Sequence, residues 1–153
     1  MSSYSGRSKL AAYHSVSVHG GVAKADPHGL VQMLLEACAE RLTTAAGCIE
    51  RRETARMAKL LHSSVTILTE LRGSLNMAEG GPLAENLSKL YAYMMRQLLM
   101  ANVSKDAGLV KEVLDLLNNI RSAWTAIGPQ VRAANESSVT HVRAGAPSAG
   151  YGA

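Results

Sequence analysis

Phenylalanine is absent from the 153 residues, and Trp124 is the only tryptophan. With so few large rings, a core has to be assembled from Leu, Ala, Val and Met, a set that favours helices. Cysteine is scarce as well. Cys38 and Cys48 stand in what reads as one helix, about 15 Å apart along its axis at ~1.5 Å per residue, a span no disulfide bridges. Both are expected to be buried free thiols. No segment approaches the roughly 20 apolar residues of a membrane-spanning helix, and the first residues carry no signal-like apolar run. The expectation is a cytoplasmic protein without direct membrane insertion.

The net charge of +4 does not belong to the folded part. Between Asp26 and Ile127, eleven Lys and Arg balance eleven Asp and Glu. The surplus lies in the flanks, with Arg7, Lys9 and Lys24 ahead of that body and Arg132 and Arg143, less Glu136, behind it. Nucleic-acid binders gather cations on one face of the fold, and a neutral body argues against that class of partner.

Catalytic patterns are missing too. There is no P-loop, no Gly-rich dinucleotide fingerprint, no HExxH and no paired Cys motif, and no inward Glu with an ExxH partner of the di-iron kind. His14 and His19 precede the body, His28 sits in a first helical turn and His141 lies near the end; His62 alone falls in mid-helix. A lone His on a bundle raises histidine phosphotransfer as an alternative function. Ser63, Ser64 and Val65 follow it, however, where such domains place Lys or Gly. No cofactor, metal or enzymatic activity is expected.

What the chain does have is a stretch around which the rest is organised, GGPLAENLSKLYAYMMRQLLMAN at residues 80–102. A double glycine and Pro82 open it, and Pro is best tolerated at the first helical position. Leu83, Leu87, Leu90, Met94, Leu98 and Ala101 then recur at steps of three and four, which places them on one helical face. Tyr91, Met95 and Leu99 widen that face beyond a two-helix seam, so this helix needs neighbours on more than one side.

The other elements follow the same logic. Residues 1–25, rich in Ser and Gly, carry a few apolar anchors including Leu10 and Tyr13; a frayed terminus and an arm docked on the body both fit. Asp26-Pro27 signals a helix start, with Leu30, Met33, Leu34, Ala37, Cys38, Leu42 and Ala45 inward, Val31 and Leu35 beside them, and Glu36, Glu40 and Arg41 facing water. Residues 50–53 lack apolar members and read as a turn, although neither Gly nor Pro marks it. A second helix over residues 54–75 turns Met57, Leu60, Leu61, Val65, Leu68, Leu71 and Leu75 inward. After a polar break at Ser104-Lys105-Asp106, a fourth carries Val110, Val113, Leu117, Ile120, Trp124 and Ile127 until Gly128-Pro129 is expected to stop it. Four amphipathic helices with short links predict an all-α, antiparallel four-helix bundle over residues 26–128, with an N-terminal arm (1–25) and a flexible C-terminal tail (129–153).

Six methionines (Met33, Met57, Met77, Met94, Met95 and Met100) lie on the helices and their links. Thioether side chains fill irregular gaps and also adapt to variable partners. Met94 and Met95 cannot share one seam, and together with Tyr91, Leu99 and Met100 they leave apolar surface for something outside the four helices. Recognition of a partner segment uses such a surface; an oligomerising structural bundle is the other use for it.

The central stretch, with AYHSVSV and ADPHGLVQMLLEA before it and VLDLLNNIRSAWTAI after it, resembles the flagellin-specific export chaperones of bacteria, the FliS family, over residues 10–130. Asp26 stands where that family usually has Ser, Asn76 where Asp is common, and the first interhelical turn lacks the usual Gly-Asp. The resemblance implies a bundle that self-associates as a dimer and binds the disordered C-terminal segment of newly made flagellin. Covering that segment prevents premature polymerisation, and the subunit is then delivered to the flagellar export gate. Carried over by motif position, the partner-contact candidates are Leu10 and Tyr13 of the arm, Leu30 and Leu34 of the first helix, and Asn86, Leu87, Leu90, Tyr91, Met94 and Leu98. Leu87, Leu90 and Leu98 fit a core role equally well.

Overall fold

A computed structural model describes residues 27–150, apart from the side chains of residues 135 and 138–150. The proposed arm with Leu10 and Tyr13, the Asp26 cap and the last three residues lie outside the described residues. Four helices follow in order: α1 (Pro27–Glu50), α2 (Thr54–Gly73), α3 (Met77–Ser104) and α4 (Ala107–Gly150). Helix α1 packs against α2 and α4, and α3 closes on the same two. The links are short, so neighbours reverse direction and the antiparallel bundle follows.

In α1 the fully enclosed Leu35, Cys38, Leu42 and Ala45 recur at steps of three and four, while Ala39 and Ala46 make a second stripe of small residues. Two stripes suit a helix with two neighbours. Arg41 does not simply face water. It is half-buried, and its Nε donates to Ser63 Oγ on α2 at 2.8 Å. Met57, Leu61, Leu68 and Leu71 of α2 are inside as expected, but Leu60 and Val65 are only half-buried, and Ser64 and Ile67 take inner positions instead. Ser64 escapes the penalty for an unpaired buried hydroxyl by donating to the Leu60 carbonyl one turn back, at 2.9 Å. Each enclosed Leu or Met contributes about 1.5–3 kcal/mol before conformational entropy is set against it.

The first link ends α1 without glycine. Arg52 adopts the left-handed conformation (φ 60°), and the Glu53 amide donates back to the Cys48 carbonyl at 2.8 Å. That six-residue closure is the Schellman geometry.

Helix α3 has two parts. Asn76 caps a single opening turn by accepting from the Glu79 amide at 3.1 Å. Gly81 then breaks the course at φ 52°, ψ −132°, and Pro82 opens the long segment. The break changes which residues are inside. Tyr91, Met94, Leu98 and Ala101 are enclosed, but Leu83 is 68 % exposed, Leu87 and Leu90 are half-buried, and Ala84 takes the inner place near the helix start. The four helices are not closed over one another at that end.

Asp106 immediately precedes α4, and its carboxylate accepts the Gly108 amide at 2.8 Å. Val110, Val113 and Leu117 are fully enclosed. The helix does not stop at Gly128-Pro129, as the sequence pattern suggested. Gly128 is buried beneath the His28 ring, and a Cβ there would lie 3.1 Å from His28 Cε1, so this glycine permits close packing and is not a terminator. Pro129 is exposed. The one amide–carbonyl link that it removes, to Thr125, lies on the outer side, where water can replace it. None of the described helices is long and apolar enough to cross a membrane.

Candidate partner-binding groove

The open end of the bundle is a groove. It forms where α1 and the long part of α3 begin, α2 ends and α4 passes from Trp124 to Val131, and its volume is about 570 Å³. Leu71 and Ala84 lie deep in it, with Tyr91 behind them at 3 % exposure. Val31, His28 and Trp124 form the α1–α4 wall; Leu75, Leu83 and Leu87 form the other. Among the described residues that line it, Glu79 on the rim is the only Asp, Glu, Lys or Arg, and His28 and Tyr91 are the other titratable groups. The groove's mainly apolar lining suits an apolar segment of a partner.

Each wall is held by specific contacts. The His28 and Trp124 rings are parallel within 7°, with centroids 4.7 Å apart. The Trp124 indole N–H donates to the His28 carbonyl at 2.9 Å, and His28 Nε2 lies 2.8 Å from the Trp124 carbonyl. A carbonyl only accepts, so that nitrogen carries the proton and the tautomer is fixed. On the opposite side Arg72 Nε donates to Ser88 Oγ at 2.9 Å, tying the end of α2 to α3. Burial, with a smaller contribution from the neighbouring Cys38 thiol, pushes the Tyr91 hydroxyl up to about 12, so it stays neutral.

Two other surfaces differ in character. A polar recess of about 540 Å³ between α1 and α4 is lined by Glu36, Glu40, Thr43, Thr44, Asn118 and Arg121, and Gln32 bridges the two helices near it by donating to Thr125 Oγ1 at 2.6 Å. The outer side of α3 exposes Leu99, Met100 and Val103, the last at 85 %. His62 is exposed on α2, away from the groove. Cys38 and Cys48 are buried and unbridged; desolvation raises the Cys38 thiol to about 12, partly countered by Arg41 and Ser64. Among the described residues, no group of three or more His, Cys, Asp or Glu could hold a metal ion.

Of the residues singled out from sequence, Leu87 and Tyr91 line the groove. Leu30 and Leu34 flank the lining residue Val31 without lining it themselves; Leu30 is half-buried and Leu34 buried. Asn86 is exposed next to Leu87, and Leu90 is half-buried below the groove. Met94 and Leu98 sit in the core with no exposed surface, so an outside segment reaches them only if helices part. Sequence reasoning missed His28, Val31, Leu71, Leu75 and Trp124 as groove residues. The available signal was the cluster of apolar residues flanking the Gly80-Gly81 break, since a bundle end interrupted there exposes them.

Fold and groove together define a helical binding module with an apolar recess at one end. The family described as Flagellar protein FliS matches residues 9–131. Similar proteins include the flagellar secretion chaperone FliSB of Pseudomonas aeruginosa, 39% identical over 118 residues, covering 77% of this chain and 94% of that protein. The flagellar secretion chaperone FliS of Salmonella typhimurium is 38% identical over 124 residues (80% of this chain, 92% of that protein), and that of Bacillus subtilis is 32% identical over 113 residues (74% and 80%). The chain belongs to the FliS family of flagellar secretion chaperones.

Proposed function

We propose that this protein is a cytoplasmic chaperone that binds the disordered C-terminal segment of flagellin, keeps it from polymerising early and hands the subunit to the flagellar export gate. The observation that carries the reading is the apolar groove, with Leu83 at its edge 68 % exposed, in a chain of this family. A disordered segment loses conformational entropy when it orders on a partner and needs apolar contact in return. On the outer side of α3 the exposed Leu99, Met100 and Val103 offer a second apolar surface to a longer segment. Self-association as a dimer is part of the same reading.

The test is calorimetric titration of the full chain with a flagellin C-terminal peptide, using wild type and Leu83→Ser. Because Leu83 is mostly exposed, its replacement leaves the core intact. Wild type binds and Leu83→Ser binds several-fold more weakly. Absence of wild-type binding overturns the function, and unchanged affinity of Leu83→Ser moves the site elsewhere.

A further inference from the structure

The first turn of a helix is the part most prone to fray, because its amides have no partner within the helix. In α1 that turn forms one wall of the groove, yet it is held at four points. His28 stacks on Trp124, each residue donates a hydrogen bond to the other's backbone carbonyl, and the missing Cβ of Gly128 lets the imidazole settle against α4. Such reciprocal fastening exceeds what packing a single buried His requires, and it falls at the wall of the apolar groove. The facing wall is tied by the exposed Arg72–Ser88 bond, begins at the Gly81 break and carries the mostly exposed Leu83.

We propose that His28, Trp124 and Gly128 form a clasp that positions the groove, holding the α1–α4 wall in the shape that receives the partner. This rests on the groove being the flagellin-binding site proposed above. A wall fixed before binding removes the ordering cost from the binding step. His28 and Gly128 act through the placement of the wall and are positioning residues, while Trp124 also offers its ring to the recess.

The experiment uses the full chain and a flagellin C-terminal peptide at a temperature where every variant is folded by circular dichroism. Gly128→Ala keeps both hydrogen-bonding groups but drives a methyl toward the His28 ring. Trp124→Phe keeps an aromatic ring but removes the indole donor. The control is Val113→Ala, fully enclosed in α4 and about 16 Å from Trp124 along the helix. Both clasp variants are expected to weaken the dissociation constant roughly tenfold, about what the loss of one good hydrogen bond causes. Val113→Ala lowers the melting temperature without changing affinity. In the free Gly128→Ala protein the emission of the single tryptophan also shifts.

The proposal is overturned if both clasp variants bind like wild type, or if Val113→Ala weakens binding as much as they do, since the effect is then one of stability alone. Should Gly128→Ala fail to fold, Trp124→Phe decides by the same criterion. A wild-type protein that does not bind the peptide overturns the function and the clasp together, whereas binding that survives in both clasp variants overturns the clasp alone.

Discussion

The amide of Glu53 donates to the carbonyl of Cys48 at 2.8 Å, and the chain makes that closure with Arg52 between them at φ 60°. A left-handed conformation costs an L-residue roughly 1–2 kcal/mol, a cost that glycine avoids. Against this, glycine loses more backbone freedom on folding. Arg52 is exposed, so its side chain has little packing to forfeit. Arg52→Gly is therefore expected to stabilise the bundle by about 0.5–1 kcal/mol, read as a higher midpoint in urea with an unchanged slope. A lower midpoint would mean that the arginine side chain contributes more than its backbone costs.

Gly81 is the opposite case. At φ 52°, ψ −132° it occupies backbone space that is almost closed to residues with a Cβ, although a Cβ there would meet no neighbouring atom. The cost of Gly81→Ala is therefore conformational and not steric: about 1–3 kcal/mol of stability. Because the break sets where α3 begins, the same substitution should also reduce peptide affinity. Thermal unfolding and titration on one sample check both, and a variant as stable as wild type would show that the break tolerates another course.

Much of the bundle was legible because its signals are local. Pro27, Pro82 and the Ser104-Lys105-Asp106 break mark boundaries that the structure places at or next to the same residues. The three-and-four spacing located Leu42, Leu68 and Leu117 in the core. What escaped notice depends on neighbours distant in sequence. Periodicity puts Leu83 on the same face as Met94, but whether another helix covers that face at the bundle end is not encoded in the spacing. Gly128 reads as a terminator until His28, a hundred residues earlier, is found on top of it. The His28–Trp124 pairing links residues 96 apart, and no motif announces it.

Alkaline stability follows from raised groups in the core, Cys38, Cys48 and Tyr91, of which Cys38 and Tyr91 are shifted far. The Cys38 thiol is raised from 9.0 to about 12 and the Tyr91 hydroxyl from 10.0 to about 12, in both cases chiefly by burial. Above about pH 9 the unfolded chain releases the Cys38 proton while the native protein retains it, and Tyr91 joins above about pH 10. Fewer protons are then bound in the unfolded state, so stability falls as pH rises through this window. Denaturant midpoints should decline from about pH 9 toward 12, and Tyr91→Phe should flatten the part above pH 10. An identical decline in wild type and Tyr91→Phe would assign the loss to other groups.

Among the described groove-lining residues Glu79 is the only Asp, Glu, Lys or Arg, and it sits on the rim. Affinity from apolar contact is not screened by ions, whereas attraction between exposed charges weakens as the screening length falls from about 10 Å at 0.1 M to 3 Å at 1 M. Binding of a flagellin C-terminal peptide in this groove should therefore change by less than about threefold from low salt to 0.5 M, an upper limit that one rim charge allows. The small residual dependence should disappear in Glu79→Gln. A steep loss of affinity with salt would place the main contacts on charged surfaces, of which the Glu36, Glu40 and Arg121 recess between α1 and α4 is the one to mutate next.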